Sequence, residues 1–182
     1  YENGWVKKNG WNWKSPYGLA ALDNEPVVHI NFNEAKNFCQ WNKKRIPTIK
    51  EWELAAYTEF RLNNKDGYKF KKSYPYPTGE NTLGLNCLND CNFNYPSKYS
   101  KFLLRGYGHV STFSTKKGIN GLYDMGGNVW EWVDINDDSY KGTKGGSWWY
   151  GKNQMIQGYN TTKPKNMSAV YIGFRCVKDF KN

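Results

Sequence analysis

Apolar positions recur with a helical period in two short stretches. From Asn31 onward Ala35, Phe38, Cys39 and Asn42 share one face, and Asn31 with Glu34 has the spacing of an N-cap and its box residue. Pro47 ends that element. Thr48 and Glu51 form a second such pair, opening a stretch in which Trp52, Ala55 and Ala56 share a face. The pattern predicts helices over 32–42 and 49–58, joined by a basic, Pro-marked turn. From Leu62 to Lys117 the periodicity is lost in Asn, Lys, Tyr, Gly and Pro, and so long an irregular stretch needs something to fix it: Cys87, Cys91, turn residues and aromatic side chains are the candidates. After Gly118, aromatic-rich segments of strand length return at Gly121–Asp124, Asn128–Trp132, Gly145–Tyr150 and Tyr171–Cys176. These predict a small antiparallel sheet using 145–149 and 171–177. The fold class is α+β, one domain over 1–182 with an irregular lead-in over 1–25.

Composition supports a packed chain. Of 182 residues only 38% are hydrophobic, but nine Trp, fourteen Tyr and nine Phe bury large areas each, which excludes a disordered chain. No run approaches the roughly 18 apolar residues of a membrane span, and no solenoid repeat is visible. The net charge of +10 favours anionic partners. The lysines are scattered, however (Lys7, Lys8, Lys43, Lys44, Lys71, Lys72, Lys116, Lys117), and arginine, the usual base reader, is scarce, so nucleic acid is not the expected partner.

The four cysteines, at 39, 87, 91 and 176, allow two disulfides, one disulfide with two thiols, or a metal set. A bond between the two remote cysteines would tie the ends of the domain together. Cys87 and Cys91 are too far apart for a thioredoxin-like motif, and two histidines supply zinc poorly. A secreted, periplasmic or cell-surface location follows. Tyr1 is not a natural start, and a processed or trimmed chain is expected.

Ordinary catalytic sets are thin. His29 lies in an alternating run, Val27–Ile30, and reads as packed or edge; His109 lies in a Gly-rich loop. Gly145-Gly146 lacks phosphate-loop spacing. The acids at Glu51/Glu53 and Asp134/Asp137/Asp138 sit where capping and turns explain them. The densest constellation runs from Asp124 to Glu131. There the two carboxylates with the carbonyls of Gly127 and Val129 would make a calcium cage, while the plainer reading is that Asp124 and Asn128 satisfy turn amides.

Four segments carry a resemblance in order along the chain: KRIPTIKEWELAAY (44–57), the text at 120–137 that begins NGLYDMGGNVWEWVD, KGGSWWY (144–150) and YIGFRCVKD (171–179). They resemble the formylglycine-generating enzyme (sulfatase-modifying factor) family, a variant of the C-type lectin fold, from about Pro26 to Asp179. The resemblance implies calcium at Asp124, Gly127, Val129 and Glu131, and a Cys39–Cys176 disulfide. A second calcium position would fall near Asn92 and Phe93 with Arg105 where an acid is needed, so that ion is expected to be missing. The family's N-terminal strand region is expected to be absent, and that missing part is itself a possible partner. Catalytic members hold copper(I) with two cysteines at positions that fall on about Tyr150 and Met155 here, so oxidation of cysteine to formylglycine is not expected. Members that use iron need histidines on an additional helical domain, and neither is found in this sequence.

Relatives diversified by retroelements use the same scaffold for binding and display variable side chains over the stretch matching Trp148–Tyr171. The resemblance therefore implies a non-catalytic binding or scaffold module that recognises a protein or glycan through Trp148, Trp149, Tyr150, Gln154, Met155 and Tyr159. Aromatic anchors among amides suit that role. The alternative is a metal-dependent oxidoreductase of altered chemistry, drawing ligands from Tyr150, Gln154, Met155, Tyr159 and His109.

Overall fold

Both capping boxes form, and each sets a helix. Helix α1 spans Phe32–Trp41: the Asn31 side chain accepts the Glu34 N–H at 3.0 Å, and the Glu34 carboxylate accepts the Asn31 N–H at 2.8 Å. Helix α2 spans Ile49–Tyr57, with Thr48 and Glu51 in the same reciprocal arrangement. Helix α1 buries Phe32, Ala35 and Cys39. Phe38, expected on that face, is half-exposed and leans on Trp41 and Phe174. The computed structural model describes residues 6–92, 97–99, 101 and 108–179.

Four short strands make one sheet: β1 (Trp130–Val133), β2 (Tyr140–Lys144), β3 (Thr161–Pro164) and β4 (Ile172–Gly173), in the order β3-β2-β1-β4. β1 with β2 and β2 with β3 are antiparallel, whereas β4 runs parallel to β1. The sheet is therefore mixed, where the sequence pattern suggested an antiparallel one. Residues 145–149 turn instead of extending, because Gly145 and Gly146 take left-handed φ of +91° and +71°. At Gly145 a β-carbon would lie 2.8 Å from the Met125 carbonyl oxygen and 3.1 Å from the Trp52 ring, so the close approach requires glycine. Within 171–177 only Ile172 and Gly173 join the sheet. Strands β2 and β3 escaped the pattern because Tyr-Lys-Gly-Thr-Lys and Thr-Thr-Lys-Pro carry almost no apolar alternation.

Alternation along the strands gives the sheet two working faces. Trp130 and Trp132 point into the larger core with Phe32, Ala35, Cys39, Trp148 and Tyr171. Glu131, Val133 and Lys144 face α2, where Trp52, Ala56, Tyr57, Met125 and Val133 form a second core. The Cys39–Cys176 disulfide forms and pins α1 to the segment after β4; Arg45 and Val177 exchange backbone hydrogen bonds beside it.

The lead-in is held by a buried polar cluster. Tyr17 stacks on Tyr99 at 3.9 Å between ring centroids. The Tyr17 hydroxyl accepts the His109 backbone N–H at 3.3 Å and so donates to His109 Nδ1 at 3.0 Å. That places the ring proton on Nε2, 3.7 Å from Glu25 and without a hydrogen-bond partner among the described residues. Glu25 itself accepts from Tyr99 and Lys98, both at 2.6 Å, and from the Leu22 N–H at 3.1 Å. Burial would raise the Glu25 carboxyl, but His109, Lys98, Tyr99 and Leu22 around it hold it at about 2. Burial pushes His109 below its ordinary range and keeps it neutral.

Both shifts make the folded chain more stable at neutral than at acidic pH. Glu25 contributes stability that is present above 4.5 and lost as pH falls towards about 2, while His109 makes the fold costlier once the unfolded chain takes up a proton below 6.5. The urea midpoint should therefore fall steadily as pH is lowered from about 7 to about 3. His109→Gln should flatten the upper part of that slope and Glu25→Gln the lower part. A slope unchanged in both variants would remove the cluster as its cause.

Candidate functional site

The turn before β1 sets the centre of the site. Asp124, Gly127 and Asn128 all take left-handed φ, of +59°, +70° and +56°. At Gly127 a β-carbon would meet the Asn86 carbonyl oxygen at 2.4 Å, so only glycine fits. Asn128 is buried and joins three loops. Its Oδ1 accepts the Val110 N–H at 2.9 Å and the Asn86 amide at 3.3 Å, its backbone N–H donates to Asn86, and its carbonyl accepts the Trp148 N–H. The Asp124 carboxylate accepts the Thr115 hydroxyl at 2.8 Å and the Phe113 N–H at 3.1 Å. The plainer sequence reading, that Asp124 and Asn128 satisfy turn amides, describes these contacts.

Glu131, on the α2 side of β1, is 6% exposed at its side chain and carries three donors. Arg175 forks onto both oxygens, Nε to Oε2 and Nη2 to Oε1, each at 2.6 Å, and Trp52 Nε1 donates to Oε2 at 2.7 Å. Arg175 also donates to the Tyr123 carbonyl. Sequence reading missed Arg175 as a partner of Glu131; the signal was its place in Ile-Gly-Phe-Arg, a segment read as a strand and as a family motif but not for its charge. Burial raises the Asp124 carboxyl above its ordinary range, and the nearby Glu131 charge adds to this. Of the residues assigned to a second ion, Asn92 is exposed, and Phe93 and Arg105 lie outside the described residues.

The residues assigned to a binding face divide in two. Trp148 and Met155 are fully buried and belong to cores, Met155 packing with Leu85, Cys87 and Cys91. Neither offers a surface, which corrects the expectation: an indole and an apolar thioether gain more from burial than from solvent. Trp149, Tyr150, Gln154 and Tyr159 are half-buried. Tyr150 lies edge-on to Trp130 at 5.5 Å and to Tyr171 at 5.9 Å, and Tyr159 stacks on Trp130 at 6.3 Å. The Lys163 ammonium covers Trp130 and Tyr171 at 5.5 and 5.8 Å, a contact the sequence did not suggest.

Two struts hold this face. Buried Lys144 pairs with Glu53 of α2 at 2.6 Å and also bonds the Tyr159 carbonyl, fixing the end of the loop. The Cys87–Cys91 disulfide closes a tight loop whose Leu88 N–H donates to the Tyr150 carbonyl at 3.0 Å, and Asp90 accepts the Lys152 N–H at 3.0 Å. All four cysteines of the chain are thus in disulfides.

Over residues 1–180 the sequence matches the Sulfatase-modifying factor enzyme 1-like domain family. The chain belongs to that family. It is 31% identical over 153 residues to the "Inactive C-alpha-formylglycine-generating enzyme 2" of Bos taurus, covering 79% of this chain and 46% of the relative. It is 28% identical over 204 residues to the formylglycine-generating enzyme of Thermomonospora curvata, covering 96% and 64%. The chain therefore spans only about half to two thirds of these relatives. Among solved structures it resembles CarF, with a TM-score of 0.61 at 19% identity over 87% of this chain and 69% of that one. It also resembles the Treponema denticola variable protein 1, with a TM-score of 0.56 at 20% identity over 90% and 76%. These likenesses establish the fold: a sulfatase-modifying-factor-like α+β arrangement with much irregular backbone.

In this member of the family the Glu131 fork is a buried electrostatic joint between β1 and the segment after β4. Arg175→Gln should leave the carboxylate buried without its counter-charge. Allowing for the 28% exposure of the Arg175 side chain, the loss should be about 2 kcal/mol in urea unfolding at neutral pH. Adding Glu131→Gln should recover part of that loss; strictly additive losses would show that the two side chains do not act as a pair.

Proposed function

We propose that this chain is a non-catalytic binding module on the sulfatase-modifying-factor fold, recognising a protein or glycan partner through Trp149, Tyr150, Gln154 and Tyr159. The observation that carries this reading is the state of the sulfur atoms. The copper(I) chemistry implied by the family needs a pair of thiols at positions that hold Tyr150 and Met155 here. Met155 is fully buried, and the four cysteines are committed to disulfides elsewhere. The donor set does not fit copper(I) held by thiolates. His109, the other side chain available to an altered redox site, is buried against Tyr17 and Glu25. Likeness to a relative named as inactive supports the same reading.

The partner face suits recognition for reasons of its own. Half-buried Trp149, Tyr150 and Tyr159 are rigid and amphipathic, and ordering them on binding costs little entropy. Two disulfides support a location in an oxidising compartment, outside the cell or in a lumen. No helix among the described residues is long and apolar enough to cross a membrane. Anaerobic copper(I) titration followed by oxygen uptake with a cysteine-bearing peptide should give neither stoichiometric binding nor turnover; turnover would overturn the reading. Peptides selected by display against the native chain should bind the Trp149→Ala, Tyr150→Ala variant about ten-fold more weakly or worse, with little change in its melt.

We also propose a structural calcium ion at Asp124, Gly127, Val129 and Glu131. The two carboxylates face one guanidinium in a largely buried setting; both Asp124 oxygens and Glu131 Oε1 each accept a single hydrogen bond and keep a lone pair for an ion, whereas Glu131 Oε2 already accepts two. Glu131 would share the ion with Arg175. Calcium there would brace the turn that aims Trp130 and Trp132. Chelation should lower the melting temperature by several degrees, and calcium, but not magnesium, should restore it; an unchanged melt with no calcium by elemental analysis would overturn this site.

A further inference from the structure

A cavity of about 690 Å³ lies between the lead-in and the segment that leads into β4. Lys7, Lys8, Trp11 and Asn12 line one side, and Asn166 to Tyr171 the other, with His29 also contributing. Its size is that of a small-ligand site. Among the described residues no acidic side chain lines it, whereas Lys7 and Lys8 do, so these residues give the cavity a positive lining. Trp11 is half-buried, packed edge-on against Tyr17 at 5.6 Å and against His29 at 6.3 Å, which fixes its ring as a wall. Asn12, Asn166 and Ser168 are exposed amides and a hydroxyl.

His29 supplies an independent observation. It is a non-glycine residue held at a φ of +57°, a conformation that is strained for histidine and persists only where its surroundings impose it. Its backbone N–H donates to the Ala169 carbonyl at 3.0 Å, and its Nε2 lies 2.8 Å from the Pro16 carbonyl, to which it must donate. The kink thus staples the lead-in to the far wall of the cavity. With Nε2 committed, Nδ1 is the ring nitrogen left to a ligand, and burial favours its neutral, accepting form. The far wall is fixed as well, since the Phe32 N–H donates to the Lys165 carbonyl at 3.0 Å.

We propose that this cavity binds an anionic saccharide, with the flat C–H face of a sugar ring against Trp11, hydroxyls on Asn12, Asn166, Ser168 and His29 Nδ1, and a sulfate or carboxylate on Lys7 and Lys8. A saccharide acid combines these three features in one small molecule. Single-stranded nucleic acid is the competing polyanion. It relies on successive aromatic platforms and on arginine, and among the described residues the cavity is lined by no arginine and by one indole. The site shares none of the four residues proposed for the partner face, although Tyr171, which lines it, packs against Tyr150.

The test is calorimetric titration of the native chain with three probes: a heparin-derived sulfated tetrasaccharide, its desulfated counterpart, and an oligothymidylate of similar charge. The sulfated saccharide should bind, the desulfated one much more weakly, and the oligothymidylate no better than the desulfated sugar. Lys7→Ser with Lys8→Ser, at two exposed positions whose replacement leaves the fold intact, should weaken the sulfated probe about ten-fold. Trp11→Ala should weaken it at least as much, and the Trp149→Ala, Tyr150→Ala variant should bind it normally. An unaffected lysine variant, equal binding of the desulfated sugar or of the oligothymidylate, or no binding of any probe would overturn the proposal. Loss of binding only in the Trp149/Tyr150 variant would overturn it too, and would place the sugar on the partner face instead.

Discussion

A buried carboxylate in the middle of a sheet needs donors, and with the two segments that supply them Glu131 joins three parts of the chain. Trp52 comes from α2, Arg175 from the segment after β4, and Glu131 itself from β1. Removing any one of them leaves polar atoms without water or partner, which costs more than the bond contributed. Helix, central strand and C-terminal segment are thereby held in one relative position. The indoles of Trp130 and Trp132, on either side of Glu131 in sequence, are then aimed at the opposite face of the sheet. The aromatic face rests on those indoles, so its shape follows from a charge that it never touches.

The partner face is thus assembled from short pieces with separate anchors. Lys144 crosses from β2 to α2 and to the Tyr159 carbonyl; the Cys87–Cys91 loop reaches Tyr150; Asn128 takes the Trp148 amide. None of these anchors is regular secondary structure. They replace the hydrogen-bond ladder that a longer sheet would supply, and they explain how a chain with so much irregular backbone can present fixed rings.

Some of this was legible in the sequence, for physical reasons that can be named. Capping boxes are local, since one side chain and one amide three residues apart decide them; the helices therefore emerged almost to the residue. Strands β2 and β3 did not, because their pairing depends on partners far along the chain and their lysines hide long apolar stems under charged tips. The four family segments were readable as text, but Arg175 as the counter-charge of Glu131 was not, since a separation of 44 residues leaves no periodicity to detect. Trp148 and Trp149 illustrate the same limit. They are identical and adjacent in sequence, yet one is fully buried and the other is not, a difference set by the turn at Gly145 and Gly146 and the Asn128 carbonyl that takes the Trp148 N–H, neither of which periodicity reveals.

The Cys39–Cys176 bond closes a loop of 137 residues, and the chain-entropy estimate for so long a loop is about 5 kcal/mol. During synthesis Cys39 leaves the ribosome well before its partner, and Cys87 and Cys91 become available to it first. Their own pairing is four residues apart and needs no tertiary structure. Once closed, it removes two competing thiols, and of the four cysteines of this sequence only Cys176 then remains to pair with Cys39. The small loop beside Tyr150 thus bears on the pairing of Cys39 in time as well as on the shape of the face in space.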